Sequence, residues 1–327
     1  MRLHLHVGHG KTGSSYLQSW WALNRAELWR VNRLHYPVAD SDQRALSGRF
    51  TMGNGFLLDQ ALQVSHQPQQ LSQFWSDVLP KQQHPDSKGV LFSAERWARH
   101  LPMQLEDLLR VADAGGFDQM TIWLLVRDPL DHAVSVYGQM VKRHGFSGSL
   151  QDWLEIYDFP KLLLHFLVVF QSHPDRICLR VDHYGHQRNN LENCLVDWLA
   201  LPVNSKWQKP SSTVNRSLTQ DELLMMRFLN ERLGESASVV GEQLVDRLPN
   251  LKPARLQPSH DAWKRFEERW CPTVEQINFR LPDSSQLCCS GNTIISSRYE
   301  QQHQKLICLL PEQLECLFDG LVREAAK

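Results

Sequence analysis

The strongest chemical signal in the chain is the run Gly8-His9-Gly10-Lys11-Thr12-Gly13-Ser14-Ser15, which sets three glycines, one lysine and three hydroxyls in a single tight segment. Before it, Leu3, Leu5 and Val7 alternate with polar residues as in a short strand. After it, Leu17, Trp20, Trp21, Leu28 and Val31 recur at helical spacing from Ser14 onward. A glycine turn between a strand and a helix presents successive backbone N–H groups, and the positive end of the helix, to one point. That is an anion cradle, and a ligand with phosphates is expected in it. The nucleoside-triphosphatase form of such a loop needs Gly-x-x-x-x-Gly-Lys-[Ser/Thr], but the residue five before Gly10 is Leu5, inside the strand. That motif fails. The plainer alternative is a solvated helix start with Ser14 as its N-cap.

The longer pattern His6-Val7-Gly8-His9-Gly10-Lys11-Thr12-Gly13-Ser14-Ser15 resembles the 5′-phosphosulfate loop of sulfotransferases that use 3′-phosphoadenosine 5′-phosphosulfate (PAPS), in particular their bacterial carbohydrate-type branch. The resemblance implies that Gly10, Lys11, Thr12, Gly13, Ser14 and Ser15 hold the 5′-phosphosulfate, with Lys11 on the sulfate-bearing bridge. It continues in Arg127-Asp128-Pro129 with Ser135 eight residues after the arginine, which looks like the family's 3′-phosphate element. A guanidinium can fork onto phosphate oxygens and a hydroxyl can add one more bond, so Arg127 and Ser135 are carried over as 3′-phosphate ligands. Asp128 is open to two readings: a metal-binding acid at a strand end, as in a kinase, or an N-cap with Pro129 at the first helical position. Weaker likeness runs through Ser93-Ala94-Glu95 and Val214-Asn215-Arg216-Ser217-Leu218. There a loop near the nucleotide and a plain helix cap by Ser217 or Thr219 are equal alternatives.

Sulfuryl transfer requires an in-line acceptor, a cation on the bridging oxygen as charge builds there, and a base for the acceptor proton. Lys11 meets the second need. Glu95, after the strand Gly89 to Ser93, is the first candidate for the base, with His9 and His100 behind it. Glu95 can equally be read as a first-turn helix acid. The resemblance therefore implies PAPS as co-substrate, no metal, and a hydroxyl or amine acceptor, expected to be a carbohydrate. Two other classes compete: a magnesium-dependent small-molecule or nucleotide kinase, and a nucleotide-binding module without turnover. Trp97, Trp153, Trp198, Trp207, Trp263 and Trp270 could stack on sugars or pack in the core.

The elements that must hold these residues can be read from periodicity. Met120 to Val126 is a continuous apolar run ending at Arg127, followed by Leu130, Ala133, Val134, Tyr137 and Val141 at helical spacing. Arg176 to Val181 and the helical stretch Asn190 to Leu199 repeat the pattern. Buried strands alternating with helices predict an α/β fold, a P-loop-like parallel β-sheet flanked by helices. Beyond Pro202 the pattern is mainly helical, with helices expected over 218–233, 238–248 and 261–279. A single domain over 1–327 is expected, with an α/β nucleotide-binding core at 1–200 and a helical extension at 201–327. The polar stretch 40–88 reads as an insertion or a mobile, substrate-facing segment.

A formal net charge of −1 argues against a nucleic-acid or anionic membrane partner, so any anion must be caught by a local site. The seven cysteines are odd in number and irregularly spaced, which predicts reduced thiols rather than a disulfide framework. No Cys-x-x-Cys pair occurs, and no metal is assigned. The start Met1-Arg2-Leu3-His4 reaches the glycine turn at once, and the longest apolar run, Leu162 to Phe170, is far short of the ~20 residues of a spanning helix. A soluble, cytoplasmic protein without a signal peptide is expected.

Overall fold

The computed structural model describes residues 1–40, 42–47, 51–79, 87–210, 216–290 and 307–325. Along the chain, β1 (Arg2–Gly8) leads into α1 (Ser14–Leu23) and α2 (Arg25–Asn32), then β2 (Leu34–His35). Next come α3 (Asp42–Leu46), α4 (Gly55–Gln63) and α5 (Pro68–Val78), then β3 (Gly89–Ala94), α6 (Trp97–His100) and α7 (Leu105–Ala114). They are followed by β4 (Gln119–Val126), α8 (Pro129–Arg143), α9 (Leu150–Ile156), α10 (Phe159–Gln171) and β5 (Ile177–His183). The remainder is helical: α11 (Tyr184–Gln187), α12 (Leu191–Trp198), α13 (Gln220–Leu233), α14 (Ser238–Arg247), α15 (His260–Asn278) and α16 (Pro311–Ala325). The expected α/β class holds, and the helices expected over 218–233, 238–248 and 261–279 are present as α13, α14 and α15.

Two compact units form from interleaved segments. The first is Met1–Arg127, Phe159–Ser212 and Thr273–Leu287; the second is Asp128–Asp158, Thr213–Pro272 and Cys288–Lys327. They partition the chain differently from a division at residue 200. The first unit contains the whole sheet, five parallel strands in the order β2-β3-β1-β4-β5. From β1 the chain leaves toward β2 on one side, and from β4 it leaves toward β5 on the other. The neighbours β1 and β4 therefore flank the point where connections diverge, where open parallel sheets place their ligands at the carboxyl ends of the strands. Register levels those ends: Val7 stands beside Ala94 and Leu124, and Gly8 beside Leu125.

Both faces of this sheet are covered, which is why its strands are apolar nearly throughout. Leu91, Trp123 and Leu125 pack with Leu17, Trp20 and Trp21 of α1 and Leu191 and Leu195 of α12. On the opposite face Phe92 meets Trp75 of α5 at 6.3 Å between ring centroids. The alternating histidines of β1 do not mark a wet face. His4 is hydrogen-bonded to Thr121 Oγ1 at 2.6 Å and His6 to Ser93 Oγ at 2.9 Å, both buried.

The described residues of the polar stretch 40–88 are better built than its composition suggests. α4 and α5 bury Leu58, Leu62, Leu71 and Trp75, and the Trp75 indole N–H donates to Val111 O of α7 at 2.9 Å. A few apolar residues at helical spacing suffice to dock such helices, although glutamine, serine and aspartate make the stretch polar on average. In the second unit, Arg216 forks onto Glu222 at 2.7 and 2.9 Å with both side chains buried, and Gln313 of α16 donates to the same carboxylate at 2.8 Å. Thr219 and Glu222 form the reciprocal cap that starts α13. Of the segment likened to a loop near the nucleotide, Val214 and Asn215 lie outside the described residues, and Arg216 is committed to this ion pair.

Candidate active site

The loop after β1 has a backbone whose turns can present N–H groups to an anion. Gly10 (φ +81°), Lys11 (φ +52°) and Gly13 (φ +83°) all adopt the left-handed conformation. Such residues turn consecutive N–H groups inward rather than along a strand. For Lys11 the conformation is costly, which is expected where surrounding structure enforces it. Gly13 is the N-cap of α1, with no side-chain cap, and Ser14 is its first helical residue. The alternative of Ser14 as an ordinary N-cap is therefore not what forms. The hydroxyls of Thr12 and Ser14 are buried and have no hydrogen-bond partner among the described residues. A buried hydroxyl left unmatched costs roughly 1–3 kcal/mol, so two in one loop fit a site that a ligand's oxygens complete.

Glu95 follows Ala94 directly and lies against this loop. A Cβ placed on Gly8 would come within 2.4 Å of Ser14 Oγ, 3.0 Å of Glu95 Cα and 3.1 Å of Glu95 Cγ. Only glycine allows the loop and the carboxylate to approach so closely. Glu95 precedes Arg96, the N-cap of α6, and so stands outside the helix, half-buried at the sheet edge rather than in a first turn.

Arg127 follows β4, across the diverging point of the sheet from the loop. Its Nη1 donates to Lys11 O at 3.3 Å, and its guanidinium carbon lies 5.8 Å from the centre of the Tyr184 ring. Tyr184 and Leu191 also wall the loop at Gly13, where a Cβ would meet Leu191 Cδ1 at 2.9 Å and Tyr184 Cε2 at 3.1 Å. Lys11, the loop hydroxyls, Glu95 and Arg127 therefore converge within the first unit. Ser135 lies half-buried on α8 of the second unit.

The histidine candidates part company. His9 is buried edge-on against Phe159, with centroids 5.1 Å apart, and burial pushes its pKa down to about 3. A base that weak holds no proton near neutral pH and takes one up poorly. His100, the last residue of α6, is exposed. Asp128 is the N-cap of α8 with Pro129 at the first helical position, as one of its two readings required. Its side chain makes no cap bond; instead Oδ1 accepts the backbone N–H of Cys288 at 2.7 Å. Among the described residues no group of three or more His, Cys, Asp or Glu could hold a metal ion, and no helix is long and apolar enough to cross a membrane.

The six candidate tryptophans are buried or half-buried. Trp97, Trp153 and Trp270 are buried, Trp207 leans on Trp20 at 5.1 Å, and Trp263 donates to Ser290 Oγ at 2.8 Å. Sequence reasoning passed over Tyr184 and Leu191, which belong to no motif; their contribution comes from the packing of α11 and α12 against the loop.

Neither a protein-family model nor a curated protein matches the chain. Among solved structures it is similar to the "Sulfotransferase Domain from the Curacin Biosynthetic Pathway", at 12% identity and a TM-score of 0.36, covering 82% of this chain and 96% of that one. A likeness that distant adds no weight to the reading of the site, which stands on its own residues.

Proposed function

We propose that the chain is a sulfotransferase that moves a sulfuryl group from PAPS to a hydroxyl or amine, with a carbohydrate the first acceptor class to try. The observation that carries this reading is the loop of residues 8–14, left-handed at Gly10, Lys11 and Gly13 and with two unmatched buried hydroxyls, which meets Glu95 on one side and Arg127 on the other at the carboxyl edge of the sheet. In this reading the loop N–H groups and Thr12, Ser14 and Ser15 hold the 5′-phosphosulfate. Arg127 takes the 3′-phosphate, and Ser135 is its proposed companion. The acceptor oxygen or nitrogen forms a bond to sulfur as the bond from sulfur to the bridging oxygen breaks. Lys11 offsets charge on that oxygen, and Glu95 receives the acceptor proton. 3′,5′-Bisphosphoadenosine leaves. The sulfuryl group carries less charge than a phosphoryl group, and the cations supplied here are side chains.

The test is an acceptor panel of phenols, amines and sugars incubated with sulfur-labelled PAPS in the presence of a magnesium chelator. Labelled product with release of 3′,5′-bisphosphoadenosine supports the reading. Consumption of ATP with magnesium, and none of PAPS, would replace it with a kinase.

A further inference from the structure

The edge strand β2 pairs with β3 only at Leu34 beside Gly89 and His35 beside Val90. Continued in that register, Tyr36 would stand beside Leu91 and Pro37 beside Phe92. In a parallel ladder, the residue beside Phe92 must donate its N–H to Leu91 O and accept from the N–H of Ser93. Pro37 has no N–H, so the ladder stops there. The missing rung is made by a side chain from elsewhere. Asn54 Nδ2 donates to Leu91 O at 3.0 Å, and its Oδ1 accepts the N–H of Ser93 at 2.9 Å. The same Nδ2 lies 3.4 Å from Pro37 O, and Asn54 is fully buried.

The turn that delivers this amide is docked backbone to backbone. A Cβ on Gly53 (φ +77°) would fall 2.3 Å from Ser93 O, and one on Gly55 would fall 2.5 Å from Ala94 Cβ and 2.7 Å from Trp97. On its side-chain flank Ser93 is held by His6 at 2.9 Å and by Gln18 Nε2 at 3.1 Å. Ser93 and Ala94 are thus clamped from both sides, and the next residue is Glu95.

We infer that Asn54, carried by the Gly53-Asn54-Gly55 turn, is a positioning residue: its amide replaces the rung that Pro37 cannot make and so fixes the Glu95 carboxylate against the phosphosulfate loop. The catalytic half of this inference rests on the proposed sulfuryl transfer, and the geometric half does not. A side-chain amide is the group this task needs, because it carries donor and acceptor on one carbon, as a peptide does. Asn54→Ala removes both bonds, whereas Asn54→Asp keeps the acceptor for Ser93.

The test has two arms. Amide hydrogen exchange at Ser93 should quicken by about tenfold or more in Asn54→Ala, and by less in Asn54→Asp, which keeps the acceptor for Ser93 but loses the bond to Leu91 O. Exchange that is unchanged in Asn54→Ala overturns the rung itself, whether or not the protein turns over. The second arm measures single-turnover sulfuryl transfer at a temperature where each variant is folded, in a double-mutant cycle with Glu95→Gln. Asn54→Ala should lower the rate by about 10- to 100-fold, the scale expected for a catalytic group displaced by about 1 Å, with 3′,5′-bisphosphoadenosine affinity within about twofold. On the Glu95→Gln background it should cost almost nothing further. An equal loss on both backgrounds would overturn the link to Glu95. Absence of transfer by the wild type from PAPS to every acceptor would remove the proposed function and the catalytic half with it, leaving the exchange result to decide the rung.

Discussion

Lys11 carries two burdens. Its backbone adopts a left-handed conformation and its carbonyl accepts from Arg127, so the main chain shapes the loop, and its side chain is proposed to act on the leaving oxygen. Lys11→Ala leaves the carbonyl in place. Turnover should fall by about 10²-fold or more, because a preorganised charge on the leaving oxygen is lost, and 3′,5′-bisphosphoadenosine should bind nearly as before. Near-normal turnover in a rapid-quench measurement would remove the lysine from the mechanism. At this scale the sequence was most legible where a side chain acts through its neighbours in the chain. Gly10 to Ser15 could be read because a short loop folds on itself. Asn54 could not be, since its meaning depends on Pro37 seventeen residues earlier failing to donate, and on a register visible only when β2 and β3 are paired. The segment around Arg216 was open to two readings, a loop near the nucleotide or a plain helix cap; the cap by Thr219 is what forms, and Glu222 and Gln313 surround the arginine.

Among the elements, the helix start after the loop is the most demanding. Gly13 is left-handed and pressed between Leu191 and Tyr184, so α12 and α11 brace the loop from outside. Gly13→Ala should cost about 1–2 kcal/mol from conformation alone, more if Leu191 cannot yield. Urea unfolding should show that loss, and nucleotide binding should weaken with it. A variant as stable as the wild type would mean that the loop is free to take another shape. The alternation of strand and helix was legible because buried parallel strands are apolar runs and their helices are striped. The helices of residues 42–78 were not, because their few core residues sit in a polar background. Their docking becomes clear only from Trp75 reaching Val111 and Asn54 reaching β3.

For the molecule as a whole, acid should be destabilising in a definable window. His4, His6 and His9 are buried. Burial lowers their pKa values, with Arg2 adding to the effect on His4, to about 4 for His4 and about 3 for the other two, from 6.5 when unfolded. Between those values the unfolded chain binds protons that the folded chain refuses, so stability is fully present above about pH 6.5 and is lost as pH falls toward 4. Each histidine contributes a slope of about 1.4 kcal/mol per pH unit, and the three together at most roughly 4. Urea titrations from pH 7.5 to 4.5 should show this decline, and His4→Asn should remove about a third of it. A flat profile would mean that these rings are protonated in place.

The central claim, that the loop and Arg127 together receive a 3′-phosphorylated adenine nucleotide without metal, is most directly tested by calorimetric titration in excess chelator. Wild-type protein should bind 3′,5′-bisphosphoadenosine more tightly than adenosine 5′-monophosphate. Arg127→Ala should lose more than tenfold in affinity for the former and far less for the latter, since only the former bears the phosphate that the guanidinium is proposed to grip. Equal affinity for the two nucleotides in the wild type, or binding only of ATP and only with magnesium, would contradict it.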